Sequence, residues 1–384
     1  MNAEKPIYID YNATTPIDPE VIEEMMPYLR DHFGNPSSTH WYGTQARQAV
    51  EKARERVADC IGCAPHEVVF TSGGSESNNF AIKGICYGNR HHGKHIITGA
   101  IEHPSVLQSC KYLEAQGFEV TYVPVDEYGL VSVDDIHNAV RKDTVLITIM
   151  HANNEVGTIE PIGEIGLFAK EMGIYFHSDA AQSIGKIAVN VDDLGVDLLT
   201  VVGHKFYAPK GIGALYIREG TEIDPLIHGA AHEFGLRAGT EAVAPIVALG
   251  KACKMAKESL NSIPARLFRF RERLHEFLTA DIQHLRLNGH PTSRLPNTLN
   301  LSFPGVLASD LLAAMPEIAA SPGSACHAES CEISPVLKAM GVEERYALGS
   351  IRLSFGKWNR ESEIDDIADL LSARYELLLK GHKY

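Results

Sequence analysis

Gly173-Ile174-Tyr175-Phe176-His177-Ser178-Asp179 and Val196-Asp197-Leu198-Leu199-Thr200-Val201-Val202-Gly203-His204-Lys205 are the two stretches whose reading decides the fold. In each, a short apolar run passes directly into polar residues, the first ending on an acid and the second on a lysine. Such runs read as buried strands. Open α/β sheets bind ligands in the crevice at the carboxyl ends of their strands, so Asp179 and Lys205 are expected to face one crevice. Taken singly, an Asp is equally a helix cap and a Lys equally a solvated surface residue. Their neighbours in sequence decide between these readings.

Outward from this pair, the chain from about residue 68 to 217 alternates apolar runs with amphipathic stretches, the pattern of parallel strands joined by helices. Strands are predicted over 68–71, 95–98, 120–123, 145–150, 174–177 and 198–202, and helices over 106–116, 133–140 and 162–170. Residues 213–217 read as one more strand, expected to be antiparallel and at an edge. A long amphipathic stretch starts after Pro245, resumes after Pro264 and runs to about Ile282, as a connector into a second domain. Beyond it lie strand-like 298–303, a Pro/Gly-containing loop around 321–335, strand-like 350–355 and a terminal helix from Glu361.

With 384 residues, 45% of them hydrophobic, the chain has the length of two domains and the composition of a globular enzyme. A formal charge of −14 argues against sequence-independent binding of nucleic acid, so no direct nucleic-acid partner is expected. No apolar run approaches the roughly 18 residues of a spanning helix, and Met1-Asn2-Ala3-Glu4-Lys5-Pro6 lacks the apolar core of a secretory signal. The expectation is a cytoplasmic protein without a membrane partner. Seven cysteines, an odd number, point to free thiols in a reducing compartment. Cys60-Ile61-Gly62-Cys63 has redox or metal spacing, but no second Cys/His pair completes a site, so no metal is expected.

An Asp and a Lys at the ends of successive strands are what pyridoxal phosphate (PLP) needs. The amine forms a Schiff base, and the carboxylate keeps the pyridine nitrogen protonated. Phe70-Thr71-Ser72-Gly73-Gly74-Ser75 reads as strand, glycine turn and helix start, where free backbone N–H groups suit a phosphate. On its own it is equally a plain strand-to-helix connection. Glu102-His103-Pro104 and Asn153-Asn154-Glu155 follow two other strands on the same side. His103 there serves either to stack on a ring and transfer a proton or as a structural histidine.

Asp10-Tyr11-Asn12-Ala13-Thr14-Thr15-Pro16, Phe33-Gly34-Asn35-Pro36-Ser37-Ser38, residues 70–79, Glu102-His103, Asn153-Asn154-Glu155, Asp179-Ala180-Ala181-Gln182, Gly203-His204-Lys205, Arg237-Ala238-Gly239-Thr240 and Ser324-Ala325-Cys326 occur in that order. In these motifs, spread over nearly the whole chain, the sequence resembles the PLP-dependent cysteine desulfurases of the NifS/IscS type, in the class V aminotransferase group. The resemblance implies an α/β protein of PLP-dependent transferase fold type I. Its mainly parallel sheet is flanked by helices, and a smaller α+β domain accompanies it. Residues 15–255 would form the large domain, and 1–14 with 256–384 the small one. It further implies that Lys205 carries the cofactor, Asp179 pairs the pyridinium, Gln182 contacts the ring hydroxyl and His103 stacks on the ring. Gly74, Ser75 and His204 would hold the phosphate with Thr240 from the second subunit of a homodimer. Asn12, Asn154 and Arg352 would bind the substrate, the guanidinium gripping both carboxylate oxygens.

The implied reaction takes L-cysteine to L-alanine and leaves a persulfide on Cys326. A sulfur acceptor or scaffold protein then collects the sulfur, for iron–sulfur cluster assembly, tRNA thiolation or DNA phosphorothioation. Ser321-Pro322-Gly323-Ser324-Ala325-Cys326-His327-Ala328-Glu329-Ser330-Cys331 is rich in small residues, so a mobile, accessible loop is expected. Three positions depart from the housekeeping bacterial pattern: Val202 replaces a hydroxyl residue near the phosphate, Phe234 a common arginine, and His327 a small hydroxyl residue. The segment 202–207, Cys326-His327 and Ser334-Pro335-Val336-Leu337 are similar to selenocysteine lyases of the same group, which would act on L-selenocysteine. A PLP-bound scaffold without turnover is a reading of another class, and the joint presence of Lys205, Cys326 and Arg352 speaks against it.

Overall fold

The computed structural model describes residues 5–327 and 330–381, with the side chains of 324–331 outside the described set. Its strands, in chain order, are β1 (Ile7–Tyr8), β2 (Val68–Thr71), β3 (His95–Gly99), β4 (Glu119–Val123), β5 (Thr144–Thr148), β6 (Tyr175–Asp179), β7 (Leu198–Val202), β8 (Gly213–Ile217), β9 (Arg286–Asn288), β10 (Thr298–Ser302), β11 (Ile318–Ala319), β12 (Ser321–Pro322), β13 (Ser324–His327), β14 (Ser330–Ile333) and β15 (Ser350–Ser354). Seven of them build a sheet in the order β2-β8-β7-β6-β5-β3-β4. All its strands run one way except β8, which is antiparallel to both neighbours.

A parallel sheet must be covered on both faces, and the strand sequences show how. Neighbouring residues alternate between two cores. Ile97, Ile147, Leu199 and Tyr216 face the helices Trp41–Ile61, Ile162–Met172 and Val243–Ser259. Ile96, Leu146, Leu198 and Leu215 face Gly74–Gly88 and Pro104–Glu114. The consequence for function is geometric: β2, β3, β5, β6 and β7 all end at one edge, bringing the segments after each to one place.

A second, antiparallel sheet, β12-β15-β10-β9, packs against the helices Ile263–Asp281 and Glu361–Gly381 around Leu274, Leu299, Leu353 and Leu371. The N-terminal segment joins the two sheets. Ile7 and Tyr8 pair with β11, Asp10 bridges to Ser354, and Thr15 N donates to His204 O at 3.0 Å.

Three expectations need correction. Residues 213–217 form a strand, antiparallel as expected, but inside the sheet between β2 and β7 rather than at an edge. Every residue of Gly213–Ile217 is buried, as an interior place demands. The helices around Pro245 and Pro264 start before those prolines, at Val243 and Ile263, because a first-turn residue has no intrahelical N–H bond to lose. The expected loop over 321–335 contains a β-hairpin: β13 pairs antiparallel with β14, with Cys326 opposite Cys331. Among the described residues no helix is long and apolar enough to cross a membrane.

One buried ion pair ties the loop carrying residues 233–240 to the main sheet. Arg54 donates to both Glu233 oxygens at 2.8 and 2.9 Å and to Val68 O at 2.7 Å, while Phe70 N donates to Glu233 Oε2 at 2.8 Å. Breaking one side of such a pair leaves a desolvated charge behind. Glu233→Gln, which leaves Arg54 with only the more exposed Glu51, is expected to lower the unfolding free energy by roughly 3 kcal/mol. The measurement is the urea midpoint; an unchanged midpoint contradicts the assignment.

Candidate active site

At the shared carboxyl edge lies a cavity of about 390 Å³. Asn12, Gly74, Ser75, His103, Asn154, Asp179, Gln182, His204, Lys205 and Arg352 all line it. Each arrives by a short route from a strand end. Asp179 closes β6, and Lys205 sits in the single turn that follows β7. His103 caps the helix after β3, while Gly74 and Ser75 open the helix after β2. Arg352 comes from the other sheet, on β15.

The Lys205 amine donates to the carbonyls of Asn12 and Ala13, both at 2.8 Å. Desolvation, with the Arg352 guanidinium adding to it, pulls its pKa down to about 8, against the opposing pull of Asp179 and Asp10. Asp179, only 6% exposed, accepts from Ala181 N at 2.9 Å and from Asn78 Nδ2 at 2.7 Å. Asn78 also donates to Ser105 Oγ at 2.8 Å. Ser105 in turn fixes His103, whose Nδ1 lies 2.7 Å from that hydroxyl and accepts from Ser105 N at 3.1 Å. Desolvation lowers the His103 pKa and, together with Lys205 and Lys210, lowers that of His204 to about 4. Both rings are therefore neutral near pH 7.

Arg352 is held on three sides. It donates to Asp10 Oδ1 at 2.7 Å, Ser321 Oγ at 3.1 Å and Asn154 O at 3.2 Å, while its Nε is buried without a partner. Gln182 Nε2 donates to Asn12 O at 3.0 Å, and Asn12 Nδ2 reaches Thr298 Oγ1 at 2.8 Å. Two predicted residues stand apart. Thr240 is exposed and does not line this cavity. Cys326 lies on β13 of the hairpin that follows β12, and its side chain is outside the described residues.

PLP fits this donor set. The helix Gly74–Gly88 begins without a side-chain cap, so its first N–H groups remain available to an anion. Gly73 has φ 139°, a conformation for glycine, and a Cβ on Gly74 would lie 2.7 Å from Val202 Cγ2. The Asp179 carboxylate suits a pyridinium, Lys205 the aldehyde, and Arg352 with its unpartnered Nε a carboxylate. Asn78, Ser105, Asp10 and Lys186 were not singled out as site residues from sequence. Asn78 was the most accessible of them, standing four residues after Gly74 and so on the same helix face.

The aminotransferase class-V family profile matches residues 7–367. The chain is 50% identical to the cysteine desulfurase IscS of Methanosarcina thermophila, over 96% of this chain and 91% of that one. In structure it is similar to a NifS-like protein, with TM-score 0.90 and 40% identity over 97% of this chain and 99% of the other. It is also similar to SspA in complex with cysteine, with TM-score 0.81 and 40% identity over 92% and 100% of the two chains.

The Lys205 amine, neutral above about pH 8, should be acylated with a midpoint near that pH in the cofactor-free protein, well below the reference lysine value of 10.5. Competitive labelling across pH, read by peptide mass spectrometry, checks this. A Lys205 midpoint at 10.5 contradicts the geometry-derived shift.

Proposed function

The chain belongs to the aminotransferase class-V family, which is PLP-dependent, and we propose that it is a cysteine desulfurase converting L-cysteine to L-alanine with the sulfur held on Cys326. The observation that carries this reading is that Lys205, Asp179 and Arg352 line one cavity. PLP, when bound, supplies an electron sink for the bond-breaking at the amino acid's carbon atoms. Lys205 would hold it, with Asp179 at the pyridine nitrogen, Gln182 at the ring hydroxyl and His103 against the ring. Gly74, Ser75 and His204 would take the phosphate, with Thr240 of a second copy.

Arg352, aided by Asn154 and Asn12, orients the substrate carboxylate, and its unpartnered Nε is one available donor. Lys205 Nζ, freed once the substrate amine has replaced it on the cofactor, would take the Cα proton, a task suited to an amine whose pKa is drawn close to neutrality. The Cys326 thiolate attacks the substrate sulfur. The new S–S bond forms as the C–S bond breaks, the electron pair stays with the carbon that carried sulfur, and protonation of that carbon together with return of the Cα proton from Lys205 yields alanine. The products, alanine and the Cys326 persulfide, contain every atom of cysteine and thiol, so no outside oxidant is needed. β12, which leads into the Cys326 hairpin, pairs Ser321 with Arg352 and so connects it directly to the cavity wall.

The persulfide passes to a sulfur-acceptor protein in the cytoplasm, with iron–sulfur cluster assembly one such use. The working form is a homodimer. Exposed Thr240 and the exposed aromatic cluster of Phe33, Trp41 and Tyr42 support it, since a lone chain leaves these uncovered. Residues 15–255 form the large domain, with 1–14 and 256–384 forming the small one. The separate cores around the two sheets support that division.

Cys326→Ala is expected to cut alanine formation from L-cysteine by about a hundredfold or more while the bound-cofactor absorbance persists. Undiminished turnover would remove Cys326 from the mechanism. Arg352→Lys should raise KM for cysteine by about tenfold or more, because a single point charge replaces a planar pair of donors; an unaltered KM contradicts that role. L-selenocysteine compared with L-cysteine tests the substrate, and rapid selenide release beside no detectable cysteine turnover would reassign it.

A further inference from the structure

Lys186 is a buried lysine, 9% exposed, four residues after Gln182. Its Nζ lies 2.6 Å from Gln182 Oε1 and 3.1 Å from Asn12 Oδ1. Among the described residues no carboxylate pairs with it, and the charges acting on it are the cations Lys205 and Arg352. Burial and those two cations push its pKa well below the ordinary lysine value. A buried lysine facing only amide oxygens, with no countercharge, is costly and needs a reason for its place.

That reason lies in the direction of the amides. Asn12 Nδ2 is committed to Thr298 Oγ1 at 2.8 Å and Asn154 O at 3.2 Å, leaving its Oδ1 to accept from Lys186 and from Asn297 Nδ2 at 3.1 Å. Lys186 therefore meets an acceptor on that side. On the other it donates to Gln182 Oε1, so the Gln182 NH₂ points away, where it donates to Asn12 O. The same carbonyl accepts the Lys205 amine at 2.8 Å. The network thus runs from a buried amine through one amide to the atoms around Lys205.

We propose that Lys186 is a positioning residue that fixes the Gln182 amide with its NH₂ toward the cavity, making Gln182 a donor to the ring oxygen of PLP. This rests on the cofactor reading above and adds the residue that sets the polarity of the contact. With Lys186 gone, the amide is free to turn and present Oε1, an acceptor, to an oxygen that carries negative charge. A donor stabilises that anion and so lowers the proton affinity of the conjugated ring system; an acceptor does the reverse.

The test is a double-substitution cycle on PLP-loaded protein: wild type, Lys186→Met, Gln182→Ala and the pair, each titrated by the absorbance of the bound cofactor across pH. The other charged or titratable groups at the cavity, Lys205, Arg352, Asp10, Asp179, His103 and His204, are the same in all four. Lys186→Met is expected to raise the apparent pKa by about one unit and to weaken cofactor retention roughly two- to tenfold. Adding it to Gln182→Ala should produce no further rise. A wild-type titration in Lys186→Met overturns the inference, as does a shift that persists in full in the Gln182→Ala background. Lys186→Leu serves in the cycle if the Met variant does not fold, as judged by thermal melting of the cofactor-free protein. Wild-type protein that takes up no PLP overturns the cofactor reading itself, and this inference with it.

Discussion

The Lys205 amine, withdrawn from water and shared between two backbone carbonyls, is the interaction on which the rest of the structure depends. An ammonium loses several kcal/mol of hydration on such burial, and here the cost falls on the charged form, which is why the pKa drops. Two separate pieces of chain must meet to create that environment. The turn after β7 supplies the lysine, and the segment around Asn12 supplies the carbonyls. The segment is in turn pinned by Asn12 N to Ser354 Oγ at 3.0 Å and by Asp10 to Arg352. The N-terminal residues therefore act as a strap across both sheets, and the nucleophile's environment is as stable as that strap.

The same strap explains how Arg352 belongs to the site although it comes from the second sheet. Its ion pair with Asp10 fixes the guanidinium plane, and the largely buried setting makes the pair more than a surface contact. Asp10 in turn partly offsets the repulsion between Arg352 and Lys205. The Arg352 guanidinium sits close enough to lower the proton affinity of Lys205, and an incoming carboxylate would relieve that repulsion. Affinity for an anionic amino acid and basicity of Lys205 are thus linked through one electrostatic balance.

Much of this was legible in the sequence because strand ends are local signals. Residues 198–202, apolar but for Thr200, end at Gly203-His204-Lys205, and the strand and its end agree with the structure to the residue. Sheet order is not a local signal. Gly213–Ile217 reads the same whether it lies at an edge or between β2 and β7, and only long-range pairing decides. The pairing of β13 with β14 was hidden by small residues, whose weak strand propensity is outweighed by the cross-strand pairing. Asn78 and Lys186 also bond Asp179 and Asn12, 101 and 174 positions away, and their four-residue spacings to Gly74 and Gln182 give no sign of those contacts.

Val202 shows how a departure from the family pattern can still fit. It is buried, 4% exposed, and its Cγ2 occupies the space a Cβ on Gly74 would need. A valine there gives no hydrogen bond to a phosphate, so under the proposed reading a phosphate would be held by the groups that remain: the uncapped N–H groups of the helix Gly74–Gly88, the Ser75 hydroxyl and the neutral His204 ring. In exchange, the methyl groups press against the glycine and fix where the helix starts. Backbone donors held in place this way depend on shape rather than on the charge of any side chain. The Gly74 end of the cavity is therefore governed by packing, whereas the Lys205 end is governed by electrostatics.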